Sequence, residues 1–180
     1  ERQMFKPYRF RGKGLAEGLE NALYFCPKCG RVGTLKSSGN RFFCACGLNV
    51  TYTETGFFEG EDVPFSTVRD WDAWQDGRLR EYVDSLGDDE EAFADEGICL
   101  IGVGARHRSR VLEHGRLSMT KNTVTIGERS FPVAQIGDMG IMGTSKIMFS
   151  ADGALYELRA LKGLFCGRKY YALYQMQKEK

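Results

Sequence analysis

Four cysteines stand in two short pairs, Cys26-Pro27-Lys28-Cys29-Gly30 and Cys44-Ala45-Cys46-Gly47. Zn²⁺ favours four thiolate or imidazole ligands at tetrahedral corners, and two short loops can supply two sulfurs each. The glycine behind each pair permits the tight turn that aims both sulfurs inward. These residues therefore read as a structural zinc site, with Cys26, Cys29, Cys44 and Cys46 as ligands and Zn²⁺ as cofactor. The second pair, Cys-x-Cys, bites one residue tighter than the first. Two other chemistries use paired cysteines. A disulfide knot requires an oxidising compartment, and no signal-peptide pattern precedes Cys26. A thioredoxin-like redox pair requires neither a second pair nor a hairpin, and it sits in a βαβ setting that is not legible here.

The remaining reactive residue types are sparse. The two histidines, His107 and His114, lie among charged residues with no Ser or Cys partner in a catalytic arrangement. The 22 glycines form neither a phosphate-binding loop nor a dinucleotide fingerprint. The acidic run around Asp88-Asp89-Glu90-Glu91 reads as a solvated stretch rather than acid–base machinery. One basic cluster, Arg106, Arg108 and Arg110, has two readings. It meets phosphate on a lipid headgroup or on RNA, or it is a solvated loop that balances the acidic run. Cys99 and Cys166 sit in apolar stretches and read as buried core thiols. No catalytic residue is assigned.

The elements that must hold these residues follow from periodicity. Thr34–Phe43 carries strand-like flanks around Ser37-Ser38-Gly39-Asn40, a hairpin with a polar tip. With a cysteine pair at its base, that is the layout of a zinc ribbon. Asn49–Tyr52 alternates as a strand, and Gly56-Phe57-Phe58 ends the module. Phe65–Leu86 predicts a helix capped by Ser66 or Thr67, with Trp71, Trp74 and Leu79 on one side as core packing. From Gly97 onward the period becomes two. Short strands are expected around Ile98–Ile101, Val111–Thr120, Thr123–Ile126, Phe131–Val133, Met139–Met142, Lys146–Ser150 and Ala154–Arg159. Gly167–Lys178 has the period of an amphipathic helix.

The chain of 180 residues is 42% hydrophobic and 27% charged, a globular composition with no apolar run long enough to span a bilayer. Its net charge of +1 hides segregation: basic to Arg41, acidic from Glu61 to Glu96, basic again beyond Ala105. The expected fold class is mainly β with helices (α+β). Residues 1–20 read as a linker from an upstream domain, 21–60 as the zinc ribbon, and 61–96 as a helix and acidic linker. Residues 97–180 read as a β domain with a C-terminal helix. A sheet of short antiparallel strands curls on itself, and the terminal helix plugs its open end. In this pattern the stretch from Gly115 to Tyr156 resembles the pleckstrin-homology (PH)-like or GRAM-like barrels.

A second resemblance is carried by "LYFCPKCGRVGTLKSSGNRFFCACG", then "GFFEGED" and "DWDAWQ". This run, best from Leu23 to Gln75, is similar to the region behind the catalytic domain in bacterial phospholipid/glycerol acyltransferases of the 1-acyl-glycerol-3-phosphate acyltransferase family. Cys44-Ala45-Cys46 departs from it by one residue. The family's catalytic histidine is followed, after four residues, by an aspartate. Here Leu112 follows His107 and Met119 follows His114 at that distance. The resemblance therefore implies a non-catalytic accessory region whose enzyme, an acyltransferase domain in cis, lies upstream. It further implies a cytoplasmic chain peripheral to the inner face of the membrane, with an anionic membrane surface as partner. The competing class is a nucleic-acid-binding or protein-interaction zinc ribbon, which the basic first third fits. An independent enzyme lacks an assembled site.

Overall fold

The computed structural model describes residues 9–104, 108–143, 145–163 and 165–179. The chain is mixed α+β, mostly strand, with two sheets and two α-helices among the described residues. It forms two compact units, one through Arg78 and one from Leu79.

In the first unit, β1 (Leu35–Ser38), β2 (Arg41–Cys44), β3 (Asn49–Tyr52) and β4 (Phe58–Glu59) make an antiparallel sheet in chain order. The β1–β2 hairpin turns on Gly39-Asn40 alone. Gly39 takes φ 60°, a left-handed conformation that costs glycine nothing. Alternation sends Leu35, Phe42, Cys44, Val50 and Phe58 to one buried face. Helix α1 (Val68–Ser85) crosses the division between units. The Thr67 hydroxyl accepts from the Asp70 N–H at 3.1 Å, so Thr67 caps the helix. Its buried Trp71 packs edge-on against Phe42 and tilted against Phe58, both at 5.4 Å.

The linker expected at 1–20 ends before Glu20. Ala16 is fully buried in the first unit's core, and its N–H donates to Gly39 O at the hairpin tip. Leu15 N donates to Asn40 Oδ1, and a 3₁₀ turn occupies Leu19–Asn21. A glycine-broken sequence with no period gave no sign of this, because the segment is held by backbone bonds rather than by a face of its own.

In the second unit seven antiparallel strands follow: β5 (Phe93–Val103), β6 (Ser109–Met119), β7 (Thr123–Ile126), β8 (Arg129–Pro132), β9 (Ile136–Met142), β10 (Lys146–Ala151) and β11 (Ala154–Ala160). Their order is β8-β7-β6-β5-β11-β10-β9, so the first strand of the unit pairs with its last. The acidic linker expected to Glu96 stops short, because β5 already begins at Phe93. Phe93 is buried and pairs with Met119. The closed barrel expected from the strand pattern is not formed by hydrogen bonds: the ladder ends at β8 and β9. Helix α2 (Gly167–Lys178) packs on β9, β10 and the 3₁₀ turn Val133–Gln135. Its first residue comes so close that a Cβ on Gly167 would lie 3.1 Å from Ile147. The unit's core buries Ile98, Leu100, Leu117, Ile126, Ile147 and Leu158, and Phe131, Phe149 and Tyr156 are in mutual ring contact at 5.0–5.1 Å.

Candidate metal centre

Two loops of the first unit meet sulfur to sulfur. The Cys26–Cys29 loop is pinned by an isolated β-bridge between Phe25 and Val32, by Cys26 N–H donating to Arg31 O, and by Gly30 N–H donating to Cys26 O at 2.8 Å. The Cys44–Cys46 loop leaves β2 and closes when Gly47 N–H donates to Cys44 O at 3.0 Å. Both closures need a left-handed residue, and Gly30 (φ 69°) and Gly47 (φ 93°) supply it.

The four Sγ atoms of Cys26, Cys29, Cys44 and Cys46 lie within 4.8 Å of one another. Cys26 Sγ is 3.6 Å from Cys46 Sγ, and Cys29 Sγ is 3.9 Å from Cys44 Sγ. A disulfide needs about 2 Å, so neither contact is one. A tetrahedral metal with bonds of about 2.3 Å places its sulfurs about 3.8 Å apart. The donor set and its spacing fit a tetrathiolate-bound metal ion. Among the described residues these four cysteines are the one group of its kind.

The surroundings are graded. Cys26 and Cys44 are buried, Cys29 is intermediate and Cys46 is exposed. Burial, with the neighbouring Cys46 and Cys29 thiols, pushes the Cys26 thiol up to about 12. Burial also opposes ionisation of Cys44, but the Cys46 backbone N–H and the Thr34 hydroxyl outweigh it and bring that thiol down to about 7. Thr34 Oγ1 lies 3.3 Å from Cys44 Sγ, placed to donate once the sulfur is a thiolate. The Lys28 ammonium reaches across to Gly47 O at 3.5 Å and joins the two loops. Four thiolates around a divalent cation carry excess negative charge, which this cation offsets. The sequence reading missed Thr34 and Lys28 in these roles, since neither has a spacing signature.

Gln75 was missed as well. It is fully buried in α1 and holds the segment that leads into the first cysteine loop. Its Oε1 accepts from Tyr24 N at 3.0 Å, while its Nε2 donates to Ala22 O at 2.8 Å. The Trp71 indole N–H donates to Phe25 O at 3.0 Å.

The other singled-out residues are scattered. Arg108 and Arg110 are exposed at the start of β6, and Arg106 and His107 lie outside the described residues. His114 is exposed on β6 opposite Cys99, which is buried. Cys166 precedes α2, and burial raises its thiol. No helix among the described residues is long and apolar enough to cross a membrane. No family model matches the chain, and none of the curated proteins compared with it does so either.

Proposed function

We propose that this chain is a non-catalytic, zinc-dependent interaction module. The observation that carries the reading is the quartet Cys26, Cys29, Cys44 and Cys46, with sulfur separations of 3.6 and 3.9 Å. When bound, zinc would supply cross-linking rather than chemistry: all four corners are protein thiolates, which leaves no open position for substrate. The second unit is read as PH/GRAM-like. Its support is the run of seven antiparallel strands, first paired to last, with a helix laid against the β9–β10 end. On the strength of the Leu23–Gln75 resemblance, the module belongs behind an acyltransferase of the 1-acyl-glycerol-3-phosphate acyltransferase family. There it would serve domain, protein or lipid-headgroup contacts in phospholipid biosynthesis.

One observation favours the nucleic-acid reading as the second choice. The solvent face of the hairpin pairs Lys36 with Phe43, and the Arg41 guanidinium lies 5.7 Å from the Phe43 ring. A base can stack on such a surface.

Metal analysis of the purified chain tests the first reading. One zinc per chain is expected, and Cys29→Ser should lose it together with the first unit's cooperative melting. Less than about half an equivalent, with the variant as stable as the parent, removes zinc from the account. In the same preparation no acyl transfer to lysophosphatidate is expected, and product formation would overturn the non-catalytic reading. Salt-sensitive binding of single-stranded RNA, lost in Arg41→Glu, would promote the second reading over the first.

A further inference from the structure

Two of the large apolar side chains left exposed share one rim of the second unit: Met142 (54%) and Leu161 (56%). Strand register brings them together. Met142 at the end of β9 pairs with Lys146 at the start of β10, and Lys146 pairs with Arg159 near the end of β11. Leu161 follows two residues later, fixed by its N–H donating to Gly97 O at 2.8 Å. Lys162 is exposed beside it. The loops beyond turn through Gly143 (φ 65°) and Gly163 (φ 71°), and a Cβ on either would meet nothing within 4 Å.

The rim is apolar at its tip and cationic around it. Its acids are few and already engaged. Glu157 lies 3.8 Å from Lys146 and 3.7 Å from Arg159, and Glu96, beside Gly97, is held by Arg116 at 3.4 Å. A protein interface of this size would favour aromatic residues and arginine over lysine at its centre. Among the described residues this rim has two lysines, one arginine and no exposed aromatic side chain. Aliphatic tips inside a cationic collar suit the boundary between acyl chains and anionic headgroups.

We propose that Met142 and Leu161, with Lys146, Arg159 and Lys162, form the surface by which this chain seats on an anionic lipid bilayer. The aliphatic tips enter the headgroup boundary and the three cations meet lipid phosphates. The proposal rests on reading the second unit as an interaction module, and it names that unit's partner. It also moves the lipid contact away from Arg108 and Arg110. Those residues flank the opposite end of β11, where Val103 pairs with both Leu155 and Ser109. Leu155 and Leu161 are six residues apart on an extended strand, about 20 Å.

The test is co-sedimentation of the full chain with vesicles of phosphatidylcholine alone, or of phosphatidylcholine and phosphatidylglycerol in equal parts, at low and high salt. Binding is expected to the anionic vesicles and should fall with salt. Met142→Asp combined with Leu161→Asp should weaken it about tenfold or more. Lys146→Glu combined with Lys162→Glu should weaken it comparably and flatten the salt dependence. Arg108→Glu with Arg110→Glu should keep it. All these positions are exposed or part-exposed, and unchanged melting temperatures would verify that the variants fold. Failure of the parent chain to bind anionic vesicles overturns the proposal. So does binding that survives both rim variants, or that only the arginine variant abolishes. Zinc content is read on the same samples. Full zinc without vesicle binding sinks the rim alone, while vesicle binding without zinc sinks the metal reading alone.

Discussion

Between Cys26 and Cys44 the centre has an inequality that four identical side chains would not suggest. One thiol is pushed up by burial, and the other is drawn down by a backbone N–H and a threonine hydroxyl. A bound metal cation would remove the inequality, because it would stabilise all four sulfurs as thiolates at once. Around it, single residues join chain segments remote in sequence. Gln75 uses both ends of its amide on Ala22 and Tyr24, and its Nε2 also donates to Asp72 Oδ1 at 2.7 Å. Gln75→Ala removes the side chain to which one buried and one part-buried backbone group bond, so it should cost about 2 kcal/mol in denaturant unfolding of the zinc-loaded chain. Gln75→Glu keeps the acceptor for Tyr24 N but loses the donor to Ala22 O, and should fall between the two. An alanine variant as stable as the parent would mean that water replaces the amide at no cost.

At the scale of elements, α2 is latched as well as packed. The Lys169 ammonium and the Tyr170 hydroxyl converge on one oxygen, Asp95 Oδ2, each at 2.7 Å. Lys169 is only 5% exposed, and its Nζ lies 5.7 Å from the Phe93 ring and 5.3 Å from the Tyr170 ring. Asp95 can reach the helix because β5 breaks register between Asp95 and Ile98. Burial, and then the charge and hydrogen bond of Asp95, hold the Tyr170 phenol well above its ordinary value of 10.0. The folded chain therefore binds that proton more tightly than the unfolded chain does. The stability this contributes is complete below pH 10 and is lost as pH rises above it. Denaturant unfolding across about pH 9–12 should show the decline. Tyr170→Phe should make the slope shallower, though not flat, since burial raises Tyr82 and Tyr174 in the same direction. An unchanged slope in Tyr170→Phe would assign the alkaline loss to other groups.

For the whole molecule, the division at Arg78 and Leu79 separates a unit built round a thiol quartet from one with an ordinary apolar core. The first has a short four-stranded sheet and a small core, to which a metal cross-link would add stability. The second buries Phe93, Leu100, Leu117, Ile126, Ile147, Phe149, Leu158 and Leu173 with no cysteine cluster among them. A fragment from Leu79 to Lys180 should thus give one cooperative thermal transition in excess chelator. The full chain in chelator should keep that transition while losing zinc-dependent melting of the first unit. A broad, non-cooperative trace from the fragment would show that its core is incomplete alone.

Where one local rule governs, the sequence by itself settled the answer. The strand at Thr123–Ile126 and the helix at Gly167–Lys178 follow from periods of two and 3.6, and both have those bounds in the structure. Two short cysteine loops around a hairpin follow from spacing and glycine placement, because a left-handed residue is a local demand. Tertiary structure decided what depends on residues far apart in the chain. It put Ala16 in a core that its own neighbourhood does not signal. It extended β5 back to Phe93, since pairing with Met119 outweighs the acidic composition around it. It also left β8 and β9 as edges where a closed barrel was expected. The rim of Met142, Lys146, Arg159 and Leu161 belongs to the same class. Its members come from three strands and a loop, and only the β9–β10–β11 register, a long-range property of hydrogen-bond pairing, makes them neighbours.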